Sequence, residues 1–199
     1  GKLCENLLFW HYDLNPRDYL FPAPNLRAIG PQMKSFERNR GQAIFLQGPA
    51  RNTEFSDLRA YVTSSLIWNP SLDADTLIDE FLGLYYGEAS DPIRRWIDLV
   101  HDQALASGKH TNINFTPKSC GLDAKLGERG LELFEEAMEL AENNEIRNRV
   151  EKISVTALRL AIEPVFWNAI EAPRRVVIIK DTTLENELVP LKPDEKNGL

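Results

Sequence analysis

Cysteine is scarce in this chain. Cys4 and Cys120 are its two cysteines in 199 residues; they form no CxxC pair and neither has a histidine beside it. Zinc-ligand spacing is therefore missing, and no metal or other cofactor is expected. Two free thiols and one disulfide both remain open for this pair. Basic residues are outnumbered: 23 Lys and Arg against 30 Asp and Glu leave a formal net charge of -7, with the two signs interspersed. A nucleic-acid partner needs a basic face, so none is expected. No apolar run approaches the ~20 residues of a membrane span, so no membrane partner is expected. The start, Gly-Lys-Leu-Cys-Glu, lacks the charged region and apolar core of a signal peptide. Glycine-rich phosphate loops, HExxH and a Ser/His/Asp order are all missing. So is the close carboxylate pair that a glycosidase centre uses at strand ends.

What is present is enough to bury a core, with 43% hydrophobic and 27% charged residues, as in ordinary globular chains. Two short stretches stand out, residues 7–13 (Leu-Leu-Phe-Trp-His-Tyr-Asp) and 43–47 (Ala-Ile-Phe-Leu-Gln). Each is rich in aromatic or β-branched residues, turns polar at its end and is bounded by turn formers, so each reads as a strand. Residues 29–40 between them suffice for one helix. Strand, helix, strand with polar groups at the C-terminal strand ends is the repeating unit of parallel α/β barrels, whose ligands lie at that end. The expected fold is mainly α with a small α/β portion: two or three strands from the C-terminal end of a (β/α)8 barrel, followed by an α-helical region.

Residues 15–30 hold Pro16, Pro22, Pro24 and Gly30 and are expected to form a long loop. After Gly48-Pro49 the apolar residues recur at helical spacing. Thr53 is expected to cap a helix over 54–68, with Phe55, Leu58, Val62, Leu66 and Ile67 inward. Asp73 is expected to cap the next, which ends before Gly87. Asp91-Pro92 is expected to open a third, running to Gly108. Two longer helices follow over 122–142 and 145–163. In the first, Leu126, Leu133, Phe134, Ala137 and Leu140 face inward; in the second, Ile146, Val150, Ile153, Ala157 and Leu160 do. Their short Asn143-Asn144 connection makes them antiparallel neighbours. Residues 176–179 suit either a last strand or an extended arm. The expected division is 1–70 for the α/β unit, 71–172 for the helical region and 173–199 for a C-terminal arm.

Trp10, Tyr12, Asp13 and Asn15 form the most suggestive group. Aromatic rings cover the flat C–H faces of sugars, and sugar hydroxyls pair with carboxylate and amide groups. In a strand, Trp10 and Tyr12 share one face while His11 and Asp13 share the other. Gln47, ending the second strand, can reach the same pocket, and Glu54 lies just beyond. The competing reading makes Trp10 and Tyr12 barrel packing, Asp13 a loop cap and Glu54 a first-turn acid facing a helix dipole. Arg59 is placed to pair with a carboxylate, and His101 and His110 have no partners in sequence.

Phe9-Trp10-His11-Tyr12-Asp13, Tyr19-Leu20-Phe21-Pro22-Ala23-Pro24-Asn25-Leu26-Arg27 and Phe45-Leu46-Gln47-Gly48, with Leu66-Ile67-Trp68-Asn69-Pro70 and Phe81-Leu82-Gly83-Leu84-Tyr85-Tyr86-Gly87, resemble the bacterial domain-of-unknown-function family 4838. The resemblance covers about residues 5–165. It implies a glycoside-hydrolase-like protein, similar to β-hexosaminidases, of which this chain is a C-terminal portion. It also implies that Trp10, Tyr12, Asp13, Asn15, Gln47 and Glu54 contribute to a carbohydrate pocket without performing proton transfer. The chain alone is then expected to be inactive. A non-catalytic helical interaction domain is the alternative. A homodimer through the N-terminal third is also expected, because a barrel portion leaves a ladder edge and apolar side chains uncovered.

Overall fold

A computed structural model describes Cys4, residues 6–48, 53–110 and 113–165, and two short strands at 175–177 and 188–190. Two compact units divide the chain, Gly1–Ala161 and Ile162–Leu199.

The first unit opens with a β–α–β turn of chain. Strand β1 (Leu7–Tyr12), helix α1 (Leu26–Arg38) and strand β2 (Gly41–Gln47) follow in order, and the two strands pair in parallel. The register sets Leu8 beside Ala43, Trp10 beside Phe45 and Tyr12 beside Gln47. Five helices and two shorter turns follow: α2 (Ser56–Trp68), α3 (Ala74–Tyr86), a 3-10 turn (Gly87–Ala89), α4 (Ser90–Ala106), the single turn α5 (Pro117–Cys120), α6 (Ala124–Leu140) and α7 (Asn144–Ala161). The protein is mainly helical with a small parallel sheet, as the periodicities predict. In the second unit, β3 (Arg175–Val177) pairs antiparallel with β4 (Leu188–Pro190). Residue 176 is therefore strand; residues 178 and 179 of the expected strand lie outside the described residues.

Helix ends follow local chemistry where the caps are free to act. The Asp73 side chain accepts from the Thr76 N–H at 2.8 Å, Asp123 accepts from Leu126 at 3.0 Å, and Asn143 accepts from Ile146 at 2.9 Å. Each satisfies a backbone donor that the first turn leaves open. Three expected boundaries differ. The chain is already helical from Leu26, so the loop is shorter than 15–30 and Pro31 lies inside α1. Tertiary packing overrides the proline there: Leu26, Ile29 and Met33 are buried, and the Leu26 N–H donates to His101 Nε2 at 3.0 Å. Thr53 does not cap α2; Phe55, left-handed at φ 48°, occupies that position without a side-chain cap. Asp91 does not cap α4, because the 3-10 turn runs directly into Ser90.

One core of buried side chains runs from Phe21 to Leu160 on both sides of residue 70. The five inward residues expected of α7 are all buried. Ile67 and Leu140, expected inward, are exposed because they fall in the last turn of α2 and of α6. Cys4 and Cys120 are free thiols, the first exposed and the second buried. Among the described residues no helix is long and apolar enough to cross a membrane.

Candidate functional site

Alternation along β1 and β2 divides their side chains between two environments. Phe9 and His11 turn toward α1, where their rings lie 4.2 and 5.6 Å from the Phe36 ring. Among the described residues no helix covers the opposite face. Leu8, Trp10 and Phe45 are 66%, 62% and 51% exposed there. Trp10 meets Phe45 edge-on with centroids 5.0 Å apart, and runs nearly parallel to Tyr12 at 6.4 Å. Its Nε1–H donates to Gln47 Oε1 at 3.0 Å. That bond fixes the indole on the sheet and leaves the Gln47 amide nitrogen available to a ligand. Trp10, Tyr12 and Gln47 are thus brought together on one open aromatic face, and Phe45 joins them.

Asp13, Asn15 and Glu54 are elsewhere. All three are buried, and Glu54 and the Asp13 backbone meet the fully buried guanidinium of Arg59. Arg59 Nε and Nη2 donate to Glu54 Oε2 at 2.9 and 2.6 Å, and Nη2 also reaches the Ala23 carbonyl at 3.0 Å. Nη1 donates to the Asp13 carbonyl at 3.0 Å and to Asn25 Oδ1 at 2.6 Å. One cation on α2 therefore gathers the end of β1, the loop before α1 and the residue preceding Phe55. Asn15 Nδ2 donates to the Phe115 carbonyl at 3.0 Å, tying the same loop to the segment before α5.

The Asp13 carboxyl receives nothing from Arg59. Its Oδ1 has no hydrogen-bond partner among the described residues, and its Oδ2 lies 3.5 Å from the Thr63 hydroxyl, at the limit of a bond. Burial pushes this carboxyl above the usual carboxylate range, against the pull of Arg59 and His11. Burial also pushes Glu54 up, with Arg59 opposing it. Burial lowers His11, while Asp13 works in the other direction. Two buried carboxyls thus share one guanidinium, and Glu54 holds the direct contacts.

His101 is buried between two backbone groups. Its Nδ1 lies 2.7 Å from the Ile97 carbonyl, which only accepts, and its Nε2 accepts from Leu26. These bonds select the neutral tautomer with the proton on Nδ1, and burial lowers the imidazole to about 4.

Residues 1–98 match the family described as Domain of unknown function (DUF4838). The match spans just under half of the chain. It contains β1, α1, β2, α2 and α3, all six candidate residues, and Arg59. The family description names no activity, and the match ends at residue 98, so α6 and α7, which the resemblance is expected to cover, lie outside it. No curated protein and no solved structure matches the chain.

Two features escaped the sequence reading. Phe45 belongs with Trp10, and its even spacing from Gln47 in the second strand carries that signal. The many bonds of Arg59 had no signal beyond its nearness to Glu54, since Ala23 and Asn25 reach it only through the fold. Among the described residues no cluster of three or more His, Cys, Asp or Glu can hold a metal.

Proposed function

We propose that the segment matching DUF4838 presents a carbohydrate-binding face and forms the C-terminal part of a glycoside-hydrolase-like protein. One observation carries the reading: an exposed indole, hydrogen-bonded to Gln47 of the neighbouring parallel strand and flanked by Tyr12 and Phe45. A sugar ring stacks on such a surface through its C–H face, and Gln47 supplies an amide to its hydroxyls. Asp13, Asn15 and Glu54 then serve the face from behind, by fixing the loop that leaves β1. The chain alone carries out no glycosidic cleavage. Among the described residues the open face has no carboxylate, and an oxocarbenium-like transition state needs an acid and a nucleophile or base. The helical-interaction alternative rests on Trp68, Leu84 and Leu105, exposed on α2, α3 and α4 respectively. The sheet face instead gathers its apolar groups at one place.

Titration with neutral oligosaccharides, followed by NMR chemical shifts, tests the proposal. Shifts should concentrate at Trp10, Tyr12, Phe45 and Gln47, and Trp10→Ala should lower affinity at least tenfold, of the order of one good aromatic contact. Saccharide binding that Trp10→Ala leaves unchanged overturns it. So does the absence of binding by any saccharide.

A further inference from the structure

A second concave site lies in the first unit, between the start of α2, the end of α3 and the middle of α7. It is a cavity of about 260 Å3, somewhat smaller than the ~300–1,000 Å3 typical of drug-sized ligands. It shares no residue with the open sheet face. Phe55, Leu58, Tyr85, Tyr86, Ile153 and Val155 supply its apolar walls. Glu54 also lines it, but that carboxylate is engaged by Arg59.

The polar groups of this cavity are mostly donors. Ser56, 7% exposed, and the buried Tyr86 both line it, and neither hydroxyl has a hydrogen-bond partner among the described residues. Both hydroxyl oxygens are open to the cavity rather than sealed in the core, so a ligand acceptor can take the place of water there. Two cations of α7, Arg149 and Lys152, stand three residues apart and so on one helix face. Arg149 lies over the Tyr85 ring, 4.0 Å from its centroid, and donates to the Tyr85 carbonyl at 2.8 Å; it also pairs with Glu145. The Lys152 ammonium is held less firmly, 3.9 Å from Asp57 Oδ2. The Tyr85 hydroxyl donates to that same oxygen at 3.3 Å, a long bond. Asp57 also lines the cavity but is taken by Lys152 and Tyr85, so an apolar interior with the free Ser56 and Tyr86 hydroxyls and a loosely paired ammonium matches a ligand with an aromatic body and an anionic acceptor.

We propose that this cavity binds a small aromatic carboxylate, its ring against the apolar walls and its carboxylate received by the hydroxyl and ammonium donors. The probes are benzoate and phenylacetate, with benzyl alcohol as the uncharged control, followed on the whole chain by saturation-transfer NMR and by Tm. The carboxylates should bind saturably, and benzyl alcohol at least tenfold more weakly. Lys152→Glu should weaken the carboxylates about tenfold, leaving Tm without ligand and the alcohol's affinity unchanged. If Lys152→Glu lowers Tm, Lys152→Gln replaces it and should weaken the carboxylates by a smaller factor. Trp10→Ala should not affect this binding, which separates it from the saccharide face. Equal affinity for acid and alcohol, indifference to both Lys152 variants, or no binding of any probe overturns the proposal.

Discussion

Arg59 shows how much one side chain can hold when it is buried among acceptors. Its guanidinium meets Glu54, Asp13, Ala23 and Asn25, so removing it strands an anion and several carbonyls in the interior. Arg59→Ala should therefore cost about 3–5 kcal/mol, the range for breaking a buried pair by deleting one partner, read from urea denaturation midpoints. Asp13→Asn should behave differently, because this carboxyl lacks a donor at Oδ1. A carboxyl raised in the folded state contributes stability that is fully present below its unfolded value and is lost as pH rises through the folded one. Asp13→Asn removes that loss, so its stability relative to wild type should improve between pH 4 and pH 7; a constant difference would refute this. His101 has the opposite sign. Its folded value of about 4, against 6.5 for an unperturbed imidazole, means the unfolded chain takes up the proton first as pH falls. Its contribution is complete above the unfolded value and is lost on acidification toward pH 4, by an amount on the order of 3 kcal/mol. His101→Gln should flatten that part of the stability profile, and parallel profiles would show that His101 is not responsible.

At the scale of elements, the contact between α6 and its neighbours depends on two glycines. A Cβ on Gly127 would lie 2.2 Å from the Ala161 backbone nitrogen, and one on Gly130 would lie 2.4 Å from the Trp96 ring. Alanine is the better helix former by about 1 kcal/mol in an open site. Here the side chain has no room, and the neighbours are backbone and a fully buried ring. Gly127→Ala and Gly130→Ala should therefore lower stability by about 1–3 kcal/mol, as overpacking does; a gain in Tm for either would contradict the close approach. Helix periodicity made these elements legible. Ile146, Val150, Ile153, Ala157 and Leu160 lie on one stripe and all are buried. Periodicity failed at the ends, where Ile67 and Leu140 continue their stripes beyond anything that covers them. It failed at Pro31 too, since local propensity cannot register a partner 75 residues away such as His101.

For the whole molecule, the parallel sheet has two strands among the described residues, and each presents an outer edge whose backbone groups pair with no other described strand. Such edges recruit further strands. We propose that a second copy of the chain pairs along one of these edges, leaving the face of Trp10 open to ligand. Light scattering over a concentration series should show a mass that rises toward the dimer, and a strict monomer at the highest concentration would refute the proposal.

The sequence by itself determined the strands, the helices and most of the buried stripes, because side-chain alternation and 3.6-residue periodicity are local properties of the chain. It also placed Trp10 and Tyr12 on one face and His11 and Asp13 on the other. The tertiary structure alone decided which of the six candidate residues share a surface. Trp10, Tyr12 and Gln47 meet on the open sheet because the register sets Tyr12 beside Gln47. Glu54 turns inward because Arg59, on a helix beyond both strands, is buried and needs acceptors on every side, and the same cation takes the backbone carbonyl of Asp13 while leaving its carboxyl unbonded. A buried cation's choice of partners depends on which distant carbonyls and carboxyls the packed core brings within reach, and no spacing in the chain encodes that distance.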